Sequence, residues 1–447
     1  WELIQLIHQY KENGLHLDEV ESSSLHELRV ALAKVESKFQ TPEEVDPNAP
    51  TPSTKERLQD LYMVRAMVKK EAEILGYDNP VERHLQGRHF SFEEIDAAHQ
   101  QVSARANAKI LDTSVSERRE LEESVDLREF LTLDGTLGGL FALTRALFGI
   151  KITEDKDVDA WHREVRLFRV VEEDSNEPVG SFFLDPYFRP RKTRQTLMGP
   201  IFEEPKQAFI MTTIRSPVWN HLPTEMRYDD ALDIFHEFGH VLQFLLANDR
   251  VLRVAGDKSV DVSEVLPQFM EHWLLEESIL QTLAHFSQSV DGIPSEVVDK
   301  VRRQRLLQKT SEMSRRAFLG DLELQFYLRS DDAEESLVAL QHRIANQHIP
   351  HDLPAKHDLT PLLSIAESNA RGKHIAQYRY LLSEMISADL FSTFREGDIN
   401  DPVEMRRIGT NCRRHLLEPV AFLDSQAFEK FTGRSLSTQA LFGLYEF

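Results

Sequence analysis

The stretch from Ala231 to Leu246 is apolar on nearly every side of a helix, yet it carries His236, Glu237 and His240 at its centre. A helix flanked by apolar residues all round packs inside a fold, and polar groups taken there need partners. His236 and His240 stack on one face about one turn apart, so both imidazoles can reach a single tetrahedral ion. Glu237 projects beside them, placed to accept a proton from a metal-bound water without ligating the metal. A His-Glu-x-x-His match arises by chance in roughly one chain in fifteen of this length and histidine content, so the pentapeptide needs a third ligand. The next helix offers Glu264, within Ser263-Glu264-Val265-Leu266-Pro267-Gln268-Phe269-Met270-Glu271-His272-Trp273, although position alone would admit other glutamates.

Composition removes several alternatives. The 447 residues include 52 Lys+Arg against 74 Asp+Glu, a formal charge of -22, so no net positive field is present to hold nucleic-acid phosphates or anionic lipid. A hydrophobic share of 41% is enough for a large core and excludes a disordered chain. Cys412 stands alone, which excludes an intrachain disulfide and a thiolate metal cluster and fits a reducing compartment. Leu137 to Ile150, the most apolar stretch, is too short for a bilayer and contains Arg145, so no membrane span is expected. The chain opens on Trp1 rather than Met, and a targeting peptide cannot be judged from it.

The expected class is mainly α with a small β-sheet next to the histidine helix. Helical spacing predicts two helices between Trp1 and Phe39 broken at Gly14, another from Lys55 to Leu75, and more to about Gly149. Pro42, Pro47, Pro50 and Pro52 mark a linker. Alternation around Val165 to Arg169 and from Val179 to Leu184, across a polar turn, predicts a hairpin, and Ala208 to Ile214 a third strand. Residues 1–150 read as an N-terminal helical lobe and 151–447 as the region carrying the chemistry.

With these landmarks the chain resembles the thimet oligopeptidase and oligopeptidase A family of zinc metallopeptidases. His236 to His240 as HEFGH, followed by Glu264 in its Val-Leu-Pro-Gln-Phe-Met-Glu run, carry the likeness; Asp159 to Arg166, Gly180 to Asp185 and Ala376 to Glu384 extend it over most of the chain. The resemblance implies two helical lobes flanking a deep channel, with one zinc per chain held on its wall by His236, His240 and Glu264. It implies hydrolysis of internal bonds in short unfolded peptides, with Glu237 as general base. It nominates Tyr380 as hydroxyl donor to the tetrahedral oxyanion, with Tyr378 a turn-mate and His374 just upstream as further catalytic candidates. A monomer acting on peptides is expected, in the cytoplasm or alternatively in a mitochondrion or plastid. The sequence departs from the family in two places. His374 and Tyr380 are separated only by Ile375 to Arg379, a shortened form of the family's glycine-rich loop, and the segment from Phe39 to Leu58 is short. The family's N-terminal segment is also expected to be missing. The shortened loop keeps a rival open: a catalytically silent relative that binds zinc or peptide. An aminopeptidase is disfavoured, because no Gly-x-Met-Glu-Asn motif is present.

Other residues have plainer readings. Glu271, two turns after Glu264, either orients a ligand imidazole or forms an ordinary ion pair. Asp261 reads as a helix N-cap. Arg189, Arg191, Lys192 and Arg194 read as a solvated basic loop rather than a carboxylate clamp, and Lys300, Arg302, Arg303 and Arg305 as an exposed helix face. Gly135, Gly138 and Gly139 lack the Lys-Ser or Lys-Thr ending of a phosphate loop. Trp273, Phe269 and Phe244 read as core.

Overall fold

The computed structural model describes residues 7, 10–39, 54–86, 88, 90–114, 125–217, 219, 222–248, 262–289, 291–330, 335–355, 358–369, 374–420, 422 and 425–447. The proline-marked linker and Asp261 lie outside them. The elements follow in order as α1 (Glu19–Glu36), α2 (Thr54–Ile74), α3 (Pro80–Leu85), α4 (Phe92–Asp112), α5 (Leu133–Phe148), β1 (Ile150–Asp155), β2 (Arg166–Glu172), β3 (Pro178–Tyr187), β4 (Leu197–Glu203) and β5 (Lys206–Ile214). Then come α6 (Tyr228–Leu246), α7 (Val265–His272), α8 (Glu277–Phe286), α9 (Ser295–Leu328), α10 (Leu337–His348), α11 (Thr360–Asn369), α12 (Tyr378–Glu396), α13 (Pro402–Cys412), α14 (Ser425–Thr432) and α15 (Gln439–Tyr445). The molecule is mainly helical, as the spacing predicts.

Two compact units divide the chain. The first takes residues 1–112, 309–382 and 447, and the second residues 113–308 and 383–446. The boundary expected near residue 150 falls inside the second unit, where Gly149 ends α5 in the left-handed region (φ 69) and β1 follows at once.

In the first unit α1 starts at a reciprocal cap. The Asp18 side chain accepts from the amides of Val20 and Glu21, and the Glu21 side chain reaches back to the Asp18 amide. Leu25, Leu32 and Val35 of α1 and Leu61, Val64, Val68 and Ala72 of α2 are buried along their apolar stripes.

In the second unit the strands form a five-stranded sheet in the order β1-β2-β3-β5-β4, antiparallel except for the parallel pair β3–β5. The expected hairpin is β2–β3 and the expected third strand is β5. β1 and β4 are additions at the two edges. Phe168 and Phe182 stack at 5.1 Å across the hairpin, and Phe141 of α5 and Phe238 of α6 close over them at 5.3 and 5.5 Å. This aromatic layer seats α6 on the sheet. Gly135 and Gly139 serve packing: a side chain at Gly139 would meet Leu283 of α8 at 2.4 Å.

The basic run after β3 is not solvated as a whole. The Lys192 side chain is 3% exposed and its Nζ donates to the Asp185 carboxylate at 2.9 Å and to the carbonyls of Asp185, Tyr187 and Thr212. Arg189 forks onto the same carboxylate at 2.5 and 2.6 Å, and the Trp161 indole N–H adds a bond at 2.9 Å. The charge run looks solvated in sequence because nothing in its spacing shows that the loop folds back onto the Asp185 carboxylate at the end of β3.

Candidate metal centre

α6 is set up by its ends and its stripe. Asp230, in the first turn, accepts from the Arg227 amide at 2.9 Å, and Ala231, Ile234, Phe235, Phe238, Val241, Leu242 and Leu245 are buried. The remaining face carries His236 and His240, whose ring centroids stand 5.1 Å apart. α7 begins immediately after Glu264, so Pro267 falls in the first turn, where an amide has no intrahelical acceptor to lose.

The two helices bring three donors together. Glu264 Oε2 lies 3.5 Å from His236 Nε2 and 3.7 Å from His240 Nε2, and ligand atoms of the three residues all lie within 4.8 Å of one another. Ligand atoms around a tetrahedral ion bonded at 2.0–2.1 Å stand about 3.3 Å apart. Two imidazole nitrogens and one carboxylate oxygen at these separations fit a divalent ion, and small side-chain rotations close the difference. Among the described residues this is the group of three that could hold one.

Glu271 sets the orientation of His236. Its Oε1 is 2.8 Å from His236 Nδ1, and its Oε2 is 2.8 Å from Arg305 Nη2. A carboxylate held by an arginine accepts a hydrogen bond from the Nδ1–H, which leaves Nε2 for an ion. Arg305 is therefore not part of an exposed face; its side chain is 14% exposed and its guanidinium is committed to Glu271. Both plain readings of Glu271, imidazole partner and ion pair, hold at once.

Electrostatics follow from burial among acids. Burial opposes charge on His236, yet hydrogen bonds to Glu264 and Glu271 overcome it and raise its pKa to about 10 in the ion-free site. Burial raises the Glu237 carboxyl to about 7, against the pull of His236 and a hydrogen bond from the Met198 amide of β4. Glu237 is 7% exposed.

His374, Tyr378 and Tyr380 belong to the first unit. His374 Nε2 lies 3.1 Å from Glu36 Oε1, and its Nδ1 lies 3.4 Å from the Tyr327 hydroxyl. Tyr378 is 2% exposed with its hydroxyl 3.3 Å from His84 Nε2. The Tyr380 hydroxyl accepts from Arg379 Nη2 at 3.1 Å.

Residues 40–442 match Peptidase family M3. The chain belongs to this family. Among M3 relatives, Organellar oligopeptidase A, chloroplastic/mitochondrial, of Arabidopsis thaliana is 28% identical over 335 residues, covering 71% of this chain and 42% of that protein. Oligopeptidase A of Escherichia coli K12 is 28% identical over 341 residues, covering 71% and 48%. The chain thus spans about half the length of the curated relatives it matches. Among solved structures, a putative oligoendopeptidase F superposes with a TM-score of 0.59 at 13% identity, covering 100% of this chain and 78% of that one. The M32 carboxypeptidase of Deinococcus radiodurans R1 gives 0.58 at 12%, covering 94% and 80%. These similarities show the fold. No helix among the described residues is long and apolar enough to cross a membrane.

Arg305 and the amide of Met198 are the parts of the site that sequence reasoning misses. Neither carries a local signal: Arg305 sits in a run of cations, and β4 contains the strand-breaking pair Gly199-Pro200.

Proposed function

We propose that this chain is a zinc-dependent endo-oligopeptidase acting as a monomer on short unfolded peptides. The observation that carries the reading is the gathering of one ligand atom each from His236, His240 and Glu264 within 4.8 Å, next to a Glu237 carboxyl held at about 7. When bound, the ion supplies Lewis acidity, which polarises a carbonyl and acidifies water. Glu237 takes a proton from the attacking water and returns it to the departing amine; a carboxyl near neutrality does both. Glu271, steadied by Arg305, keeps the His236 ring in the ligating tautomer. Tyr380 donates to the oxyanion, with Tyr378 and His374 in the same segment.

An extended substrate is supported by β4, which ends the sheet beside Glu237 and leaves one side of its backbone without a strand partner among the described residues. A strand edge takes up unfolded chain by backbone pairing. Relatives described as cytosolic and as chloroplastic/mitochondrial support a cytoplasmic or organellar home.

The test is to incubate the chain with quenched short peptides, with and without chelator, alongside Glu237→Gln. Chelator-sensitive internal cleavage that Glu237→Gln lowers by a factor of about 10³ or more, at unchanged zinc content, supports the enzyme. Zinc without cleavage supports the binding module favoured by the short His374–Tyr380 segment.

A further inference from the structure

One face of α9 is matched residue by residue to the segment that carries Tyr380. Arg316, Gly320, Glu323 and Tyr327 recur at helical spacing along this face, and each meets one residue of the segment His374–Tyr380 in reverse order. The Arg316 guanidinium lies 5.2 Å from the Tyr380 ring centroid. A Cβ on Gly320 would stand 3.3 Å from the Tyr378 Cα. Glu323 Oε2 accepts the Gln377 amide at 2.7 Å, and the Tyr327 hydroxyl is 3.4 Å from His374 Nδ1.

Glu323 is the unusual member. It is 1% exposed, and burial raises its carboxyl to about 7 against hydrogen bonds from the backbone amides of Gln377, Ala376 and Ile375 and the pull of the His374 ring. Burying a carboxylate costs several kcal/mol unless hydrogen bonds or a counter-charge offset it. What it grips is the turn ahead of α12, where Ile375 is held at φ 52, a conformation that a β-branched residue adopts only under constraint. Just beyond the turn, Arg379, itself 2% exposed, lies 4.9 Å from the Tyr380 ring centroid and donates to its hydroxyl. Arginine has no acceptor, so this bond fixes Tyr380 as acceptor towards Arg379 and directs its own proton elsewhere.

We propose that Glu323 is a positioning residue: it clamps the turn Ile375–Gln377 to α9 and thereby sets Tyr380 against Arg316 and Arg379. The proposal rests on the oxyanion role given to Tyr380 above. Glu323→Gln is nearly isosteric but removes the charge and trades one acceptor oxygen for an N–H₂, so the hold on the backbone N–H groups weakens while the volume is kept.

The test is a cycle on the full zinc-loaded chain: parent, Glu323→Gln, Tyr380→Phe and the double variant, assayed with quenched peptides and by hydrogen exchange of the peptide spanning His374–Tyr380. Tyr380→Phe is expected to lower kcat by about 10². Glu323→Gln should lower kcat by about tenfold or more at nearly constant KM and zinc content, and speed exchange of the segment. In the Tyr380→Phe background it should cost no more than about twofold. Equal losses in both backgrounds, or unchanged exchange, overturn the proposal. A silent Tyr380→Phe overturns the oxyanion role instead, and exchange then reads the clamp by itself. Should Glu323→Gln fail to fold, Glu323→Asp, which keeps the charge and shortens the reach, goes through the same cycle.

Discussion

Gly239 and Pro267 meet backbone to backbone: a Cβ on Gly239 would stand 2.4 Å from the Pro267 Cα and 2.9 Å from the Leu266 carbonyl oxygen. α6 and α7 approach this closely only because position 239 has no side chain, and the approach is what lays Glu264, at the head of α7, beside His236 and His240.

Gly239→Ala should therefore force the two helices apart. The expected cost is about 1–3 kcal/mol of stability, with a tenfold or greater loss of zinc affinity because the carboxylate moves and the histidines do not. Competition with a metal indicator checks it; affinity equal to that of the parent would mean that the contact does not set the ligand geometry.

Arg305→Met removes the cation from one oxygen of Glu271 and leaves the other on His236. Zinc affinity should fall by about 10–100-fold, and Arg305→Lys should restore part of it. If Arg305→Met binds zinc as the parent does, Glu271 orients His236 without help.

In the ion-free site His236 keeps its proton up to about pH 10. An incoming cation must displace that proton, so affinity should rise with pH throughout the range below about 10 and loading should release about one proton. Calorimetry at pH 8 in buffers of different ionisation heat reads the number directly; identical heats in all buffers would contradict the protonated imidazole.

Asp185 supplies an acid-stability handle away from the metal. Burial would raise its carboxyl, but hydrogen bonds from Arg189, Trp161 and Lys192 hold it at about 2, below the ordinary 3.8. A depressed carboxyl contributes stability that is present above its unfolded pKa and lost as pH falls through the folded one. Asp185→Asn should destabilise the second unit by about 3 kcal/mol at pH 7, with the difference from the parent shrinking between pH 4 and pH 2. Denaturant unfolding at several pH values tests this; a difference independent of pH would assign the loss to packing.

The parts of this molecule that read directly from sequence are those whose signal is local. The one-turn spacing of His236 and His240, the alternation through β2 and β3 and the apolar stripe of α6 each arise from the geometry of a single element. β1 and β4 escape because one is short and acidic and the other is interrupted by Gly199-Pro200, and both become strands by pairing with a neighbour rather than by propensity. Lys192 and Arg305 escape for a related reason: the partners that bury them, Asp185 and Glu271, come from other elements. The stripe on α9 shows in sequence only as spacing, since its meaning lies in a segment much further along the chain. Asp261, read as an N-cap, lies outside the described residues.

The Gly199-Pro200 pair in β4 also bears on how the protein behaves in crowded solution. Successive amides of a strand alternate sides, so the Met198 amide, spent on Glu237, and the nitrogen of Pro200 face the same way, and proline has no hydrogen to offer. A second copy attempting to zip its own strand along this border would run out of donors almost at once, so the open rim that suits a brief visitor is a poor template for fibrillar growth.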